Sequence, residues 1–208
     1  MTLTLIAIFL MLMTAMPATA GENDYFVTVK DGLSNGSINS IMQDDKGRLW
    51  LSTWDGVNVY NGRTVKVYKN DPFDEHSLLD NVVRYIVQED ERYFWIISEW
   101  GVSRLDTSTD KFSRYDLAND KGNPFSSSSV SLTIDPAGRI FCSFKGWGVA
   151  FYDSVSDKMR PFNISGLNTS SVIKVVGAGE GSIILITTDG SAVRINYEMV
   201  PGLSLIHI

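Results

Sequence analysis

Three tryptophans occupy similar places along the chain and carry side chains suited to binding. Trp54, Trp100 and Trp147 each lie within two residues of a glycine, in segments that the sequence marks as turns. An indole offers a flat apolar face and one hydrogen-bond donor, which suits stacking against the C–H face of a sugar ring. Turn tryptophans also commonly cover a neighbouring sheet. The three are therefore candidate ligand-binding residues, with packing as the alternative.

Two polar residues recur at equivalent positions and extend this candidate site. Asn39 and Arg84 are 45 residues apart, each near the start of a predicted strand. Both side chains can hydrogen-bond a polar ligand, and the planar guanidinium of Arg84 suits a carboxylate such as that of a uronic acid. The alternative is that they are solvated lining without a ligand.

Paired carboxylates suggest a different chemistry. Asp44-Asp45 and Glu89-Asp90 could serve a glycosidase or a calcium site. Both pairs, however, fall in the same turn of successive units, where carboxylates hydrogen-bond backbone N–H groups. We therefore predict that they form turns.

Other residue types argue against catalysis, metal binding and nucleic-acid binding. Cys142 is the single cysteine and lies in an apolar stretch, where a thiol behaves as a small buried hydrophobe. Ser127–Ser129 has no histidine partner in the pattern, and the chain has 2 histidines. A net charge of −6 is the wrong sign for binding phosphates. We predict no catalytic residue, no metal, no cofactor and no nucleic-acid partner.

These residues belong to a repeated unit. Trp50 and Trp95 are 45 residues apart, and the segments around them are alike from the first aspartate to the turn glycine and valine. Four copies span residues 44–57, 89–102, 135–149 and 181–190, and the fourth is the least similar to the others. In the first unit, strands are predicted at residues 37–43, 49–53, 57–60 and 64–68.

Four-stranded units of this length predict an all-β fold. They are typical of a β-propeller, here with about four blades of four antiparallel strands. Each small sheet buries its faces against its neighbours, so we expect Trp50, Trp95, Phe141 and Ile184 in the core between blades. The first strand of each blade, which carries Asn39 or Arg84, would line the central channel.

The two ends of the chain differ from the repeats. Residues 1–20 are uncharged, largely apolar and end in Ala18-Thr19-Ala20, which predicts a signal peptide. An uncleaved anchor and a buried helix are the alternatives. Residues 21–196 would hold the blades, at about 33–70, 76–116, 127–162 and 170–196. Residues 25–29 would form an outer strand that pairs with the far end, and residues 197–208 an irregular tail.

The repeat carries a family resemblance. The pattern D-x-x-G-x-L-W of Asp44 to Trp50, with the glycine and valine that follow, resembles the two-component regulator propeller repeat of the periplasmic sensor region in bacterial hybrid two-component systems. The opening Asp31-Gly32-Leu33-Ser34 is similar to the start of that region. The resemblance covers about residues 22–196. It weakens where Phe141 and Ile184 replace tryptophan and Arg92 replaces a glycine.

The resemblance implies a longer protein than this chain. Members commonly have two seven-bladed propellers, an immunoglobulin-like module, a membrane helix, a histidine kinase, a receiver and often a helix-turn-helix region. The chain would then be an N-terminal fragment with an incomplete seven-bladed propeller, periplasmic after signal cleavage and without the kinase. Its full-length relative would lie in the inner membrane, which this part would contact only through the missing C-terminal region.

Three functions follow as hypotheses. The leading one is a non-catalytic, extracytoplasmic sensor module that binds an oligosaccharide, because members resembling it typically sense glycan breakdown products, or that docks a neighbouring propeller or same-family protomer. The second is a scaffold propeller that binds only proteins. The third is a secreted propeller lyase or hydrolase, for which the repeats supply almost no clustered acids or histidines on the channel face.

Overall fold

The described part of the chain is almost entirely β-sheet. The computed structural model describes residues 26–116, 130–179, 181–198 and 206–207. Within them, the strands form four separate antiparallel sheets of four strands each, and the only helices are the 3-10 turns Val29–Asp31 and Thr169–Ser171. The predicted all-β fold is confirmed. The predicted signal peptide and Ser127–Ser129 lie outside the described residues.

Each sheet follows the four-strand unit predicted from the repeat, with every strand paired to the one before it. The first sheet consists of β1 (Ile38–Gln43), β2 (Leu49–Thr53), β3 (Gly56–Tyr60) and β4 (Val65–Tyr68). The second sheet consists of β5 (Val83–Gln88), β6 (Tyr93–Ser98), β7 (Gly101–Asp106) and β8 (Lys111–Asp116).

The third and fourth sheets repeat the same order. The third consists of β9 (Val130–Ile134), β10 (Ile140–Phe144), β11 (Gly148–Asp153) and β12 (Lys158–Pro161). The fourth consists of β13 (Val172–Gly177), β14 (Ser182–Thr187), β15 (Ala192–Glu198) and β16 (Ile206–His207). Sheets adjacent in sequence pack together, since β1 contacts β5, β6 contacts β9 and β9 contacts β13. The sheets are therefore successive blades of a propeller, with the first strand of each at the centre.

The second strand of each blade supplies the large side chain between blades. Trp50 stacks on Phe94 of the next blade with ring centroids 4.1 Å apart, and Trp95 and Phe141 lie fully buried at the following two junctions. These three predicted core positions are confirmed. Ile184 is only partly buried because it lies on the side of the fourth blade that no further described blade covers.

Buried carboxylates hold the turn between the first and second strands. Asp44 accepts hydrogen bonds from the backbone N–H groups of Lys46 and Arg48, at 3.0 and 2.8 Å, and from the indole N–H of Trp50 at 2.8 Å. Burial opposes the ionisation of Asp44, but the bonds from Trp50 and Arg48 outweigh it and hold the pKa of this carboxyl below its ordinary value. The predicted turn role of this acid is confirmed.

A tyrosine and an aspartate link neighbouring blades at the outer strands. The Tyr68 hydroxyl donates to Asp110 of the second blade at 2.7 Å, and the Tyr115 hydroxyl donates to Asp157 of the third blade at 2.6 Å. Both aspartates adopt left-handed backbone angles, with φ of 57° and 51°. Aspartate tolerates this conformation better than most residues, which lets the turn aim the carboxylate at the preceding blade.

The structure corrects two expectations at the ends of the propeller. In the predicted outer strand at residues 25–29, positions 26–28 form no strand and Val29 begins a 3-10 turn, and no described strand pairs with them. Residues 197–208 were expected to be an irregular tail. Instead, β15 extends to Glu198, and Ile206–His207 pairs with it as the fourth strand, so this blade is completed from its own end of the chain.

Candidate ligand-binding site

The structure brings three of the five candidate residues together where the first two blades meet. The Trp54 indole N–H donates to the Asn39 side-chain oxygen at 3.1 Å, and the Asn39 amide donates to the Val83 carbonyl at 2.6 Å. The Arg84 guanidinium lies 5.7 Å from the centre of the Trp54 ring. The indole is held by its polar end while 54% of the residue stays exposed. This arrangement leaves a fixed apolar ring facing solvent.

β-Bulges explain why Asn39 and Arg84 point to this place. The pairing of β1 with β2 shifts register between Ile38 and Ser40, and that of β5 with β6 shifts between Val83 and Tyr85. Asn39 and Arg84 are the extra residues at these shifts. A bulge leaves its extra residue out of the ladder and re-aims its side chain.

Glu99 completes the cluster and was missed by the sequence analysis. Its carboxylate accepts a hydrogen bond from Arg84 Nη2 at 3.1 Å. Glu99 follows Trp54 by 45 residues, so the first two blades use the same turn position to contact the bulge residue of their own first strand. That spacing was the available signal. We call Asn39, Trp54, Arg84 and Glu99 the Trp54 site.

Two buried polar atoms in this region of the second blade have no hydrogen-bond partner among the residues that the structure describes. They are Arg84 Nε and Asp80 Oδ2. Burial raises the pKa of the Asp80 carboxyl, and the negative charge of Glu99 adds to the rise, although backbone N–H groups oppose it. Buried polar atoms are normally paired, so this part of the second blade has unused hydrogen-bonding capacity.

The other two candidate tryptophans have different surroundings. Trp100 directly follows Glu99 and is 41% exposed. Trp147 belongs to the third blade, where its ring packs edge-on against Phe144 with centroids 6.2 Å apart. Trp147 also packs against the core between the second and third blades. Of the two, Trp147 has the contacts of a packing residue.

A cavity of about 440 Å³ lies among the first strands of the later blades. Tyr85, the residue after Arg84, lines it together with Ser131 of β9 and Lys174 of β13. The remaining lining is largely apolar side chains of the same strands. Strand β5 therefore contributes Arg84 to the open surface of the Trp54 site and Tyr85 to this partly apolar cavity.

The groups considered for other chemistry have structural surroundings. Cys142 is fully buried, and burial raises the pKa of its thiol to about 12, so it is not a ready nucleophile. In the part of the chain that the structure describes, no three His, Cys, Asp or Glu side chains converge as metal ligands would. Within the same residues, no helix combines the length and apolar character needed to cross a membrane.

Comparison with known proteins identifies the repeat. Residues 32–55 match the model of the two-component regulator propeller family. A stretch of 61 residues is 44% identical to histidine kinase P4 of Formosa agariphila, and the match covers 27% of this chain and 4% of that kinase. The matched family segment includes Asn39, Trp50 and Trp54.

Solved structures share the fold at low sequence identity. The extracellular domain of the hybrid two-component system BT3049 from B. thetaiotaomicron superposes with a TM-score of 0.66 at 19% identity, covering 88% of this chain and 26% of that one. The extracellular domain of the one-component system BT4673 from the same organism gives a TM-score of 0.62 at 19% identity, covering 84% of this chain and 23% of that one. This chain thus spans about a quarter of each. It is a β-propeller in which residues 32–55 match the two-component regulator propeller family.

Proposed function

We propose that this propeller is the ligand-sensing part of an extracytoplasmic two-component sensor, and that the Trp54 site binds an oligosaccharide. The observation that carries the proposal is the anchored, half-exposed indole of Trp54 within a polar rim. A ring already fixed by Asn39 loses little freedom when a sugar stacks on it. The rim of Asn39, Arg84 and Glu99 offers donors and acceptors suited to sugar hydroxyls.

The likeness to extracellular domains of two-component systems supports a place outside the cytoplasm. The uncharged, apolar residues 1–20 fit this location as a signal peptide. In the full-length protein, ligand binding would bias a conformational equilibrium that a histidine kinase reads, since a ligand shifts an equilibrium only through unequal affinity for its states.

Titration calorimetry of the 208-residue chain against neutral and acidic hexasaccharides tests the ligand proposal. We expect at least one sugar to bind, and Trp54→Ala to weaken that binding about 5- to 30-fold, because stacking and burial of one ring are worth about 1–2 kcal/mol. Phe73→Ala, which removes a 99% exposed aromatic ring from another loop, is the matched control and should change the affinity little. The proposal is overturned if Trp54→Ala leaves the affinity for the sugar unchanged, or if no sugar binds.

The side of the first blade that no described blade covers supports a second proposed partner, which is another copy of this chain. Ile38 and Ile41 are exposed there, although their equivalents Val83 and Ile86 in the second blade are buried against the first. On the fourth blade, the side that no described blade covers exposes Val176. Because blade sides of these two kinds pack against each other throughout the fold, we propose that the first blade of one copy of the 208-residue chain docks on the fourth blade of another.

Sedimentation equilibrium of the 208-residue chain tests this association. We expect a monomer–oligomer equilibrium that Ile41→Lys weakens about 10-fold or more, because a charge would be buried in an apolar contact. Val155→Lys places the same charge at a 92% exposed valine in a turn and serves as the control. A chain that stays monomeric at every concentration, or an Ile41→Lys variant that associates like the control, contradicts the proposal.

A further inference from the structure

The guanidinium of Arg84 already has an anionic partner. Its Nη2 lies 3.1 Å from a carboxylate oxygen of Glu99, and the two side chains are only 25% and 28% exposed. Partial burial reduces screening by water, so such a pair is held more firmly than one on the open surface. Glu99 occupies one nitrogen of the Arg84 guanidinium, so an incoming carboxylate must either displace Glu99 or bind beside it and meet its negative charge.

A second carboxylate makes that displacement unfavourable. Asp80 lies near enough to Glu99 for the charge of Glu99 to oppose its ionisation. Glu99 therefore has one guanidinium, that of Arg84, and one further carboxyl group, that of Asp80, near it. The nearest acid on the neighbouring turn, Asp55, does not change this balance because it is paired with Lys69 at 2.6 Å. A Glu99 freed from Arg84 would be left beside Asp80 without a counter-charge, and an unpaired, partly buried charge is costly.

An uncharged sugar meets none of these costs. Its hydroxyls can donate to the carboxylate of Glu99 and accept from Arg84 without separating the Arg84–Glu99 pair. Its C–H face can lie on Trp54, whose own N–H is already satisfied by Asn39. The polar groups of the site thus match a ligand that carries many hydroxyls and no net charge.

We infer that the Trp54 site selects neutral oligosaccharides over acidic ones, and that Glu99 sets this preference by occupying Arg84. The inference rests on the proposed function, and it deepens that function by naming the class of sugar. It reverses the expectation drawn from the arginine alone, in which the fork of Arg84 would hold a uronic acid. In this structure Glu99 takes the place of such a carboxylate.

Matched probes isolate the effect of charge. Hexagalacturonate and its full methyl ester share one backbone and differ in their carboxylates, and cellohexaose adds a second neutral sugar to the panel of hexasaccharides. Binding of each sugar to the 208-residue chain is measured by calorimetry, and only binding weakened by Trp54→Ala is assigned to the site. We expect every sugar so assigned to be neutral, with acidic members binding about 10-fold or more weakly.

The variant Glu99→Gln should relax the preference. Glutamine keeps the size and an oxygen acceptor for Arg84 but removes the negative charge, so we expect acidic sugars to gain about 10-fold while neutral ones change less than about 3-fold. Glu75→Gln is the control because it removes one charge from an 88% exposed side chain elsewhere, and it should leave both classes unchanged. Near-UV circular dichroism verifies that each variant is folded.

The outcomes separate the two proposals. The inference about charge fails if an acidic sugar binds the unaltered chain at Trp54 as tightly as the neutral ones. It also fails if Glu99→Gln raises the affinity for acidic sugars no more than Glu75→Gln does. In both cases the proposal of sugar binding stands. If no sugar binds in a manner that depends on Trp54, the proposed function fails and the inference with it.

Discussion

Replacing Trp50 by alanine is expected to lower the free energy of unfolding by about 3–5 kcal/mol, the range found when a buried large aromatic side chain is truncated. Trp50 is 1% exposed and stacks on Phe94 of the second blade. Its indole N–H also donates to the buried carboxylate of Asp44. The truncation therefore opens a cavity between two blades and removes one donor from a buried charge. Urea denaturation followed by circular dichroism measures the loss.

Two further variants separate packing from hydrogen bonding. Trp50→Phe retains an aromatic ring beside Phe94 but loses the N–H, so it should cost about 1–3 kcal/mol. Val155→Ala shortens a 92% exposed side chain and should cost less than about 1 kcal/mol. If Trp50→Ala is no more destabilising than Val155→Ala, the first two blades do not depend on this contact.

The third blade has a phenylalanine in place of this tryptophan, and another side chain replaces the hydrogen bond of the missing indole N–H. Phe141 stands where Trp50 does and has no N–H to offer the equivalent carboxylate, Asp135. Asp135 is instead hydrogen-bonded by the hydroxyl of Tyr197, which belongs to β15 of the next blade. Burial opposes the ionisation of Asp135, but the bonds from Arg139 and Tyr197 prevail and keep the pKa of this carboxyl below its ordinary value.

The blades were predictable because their pattern is local. The turn acid, the aromatic residue and the turn glycine recur within about 14 residues, and each unit folds into strands joined by short turns. The burial of Trp50 and Trp95 followed from this. The partial exposure of Ile184 did not, because burial of that position depends on whether another blade covers it and no residue of its own unit encodes that.

Non-local pairing explains the two errors at the ends. Residues 25–29 resemble an outer strand in composition, but strand formation requires a partner, and none of the described strands pairs with residues 26–29. Conversely, Ile206–His207 is too short to read as a strand and becomes one by pairing with β15. Edge strands are weakly encoded in sequence because only one side of them is paired.

The candidate site was predictable in part. Asn39 and Arg84 emerged from their equivalent places in the repeat, and Trp54 from its turn. Glu99 was missed because the prediction took Trp100 as the counterpart of Trp54. The residue 45 positions after Trp54 is Glu99, one residue before Trp100. The register shifts that aim Asn39 and Arg84 at this place have no sequence signature of their own.

Replacing Gly56 by alanine is expected to cost about 3 kcal/mol or more. Gly56 has φ of +104°, and a Cβ atom there would lie 2.3 Å from the backbone oxygen of Tyr68, so left-handed strain adds to a collision with backbone that has little room to move. Gly62 is the matched control, because it has φ of +89° with no atom within 4 Å of a new Cβ, and Gly62→Ala should cost about 1 kcal/mol. Urea denaturation of both variants measures the difference. Equal losses would mean that the close approach of β3 to the end of β4 does not constrain this turn. A larger loss at Gly56 would show that the glycine repeated in successive blades is required by packing at the turn that also carries Trp54.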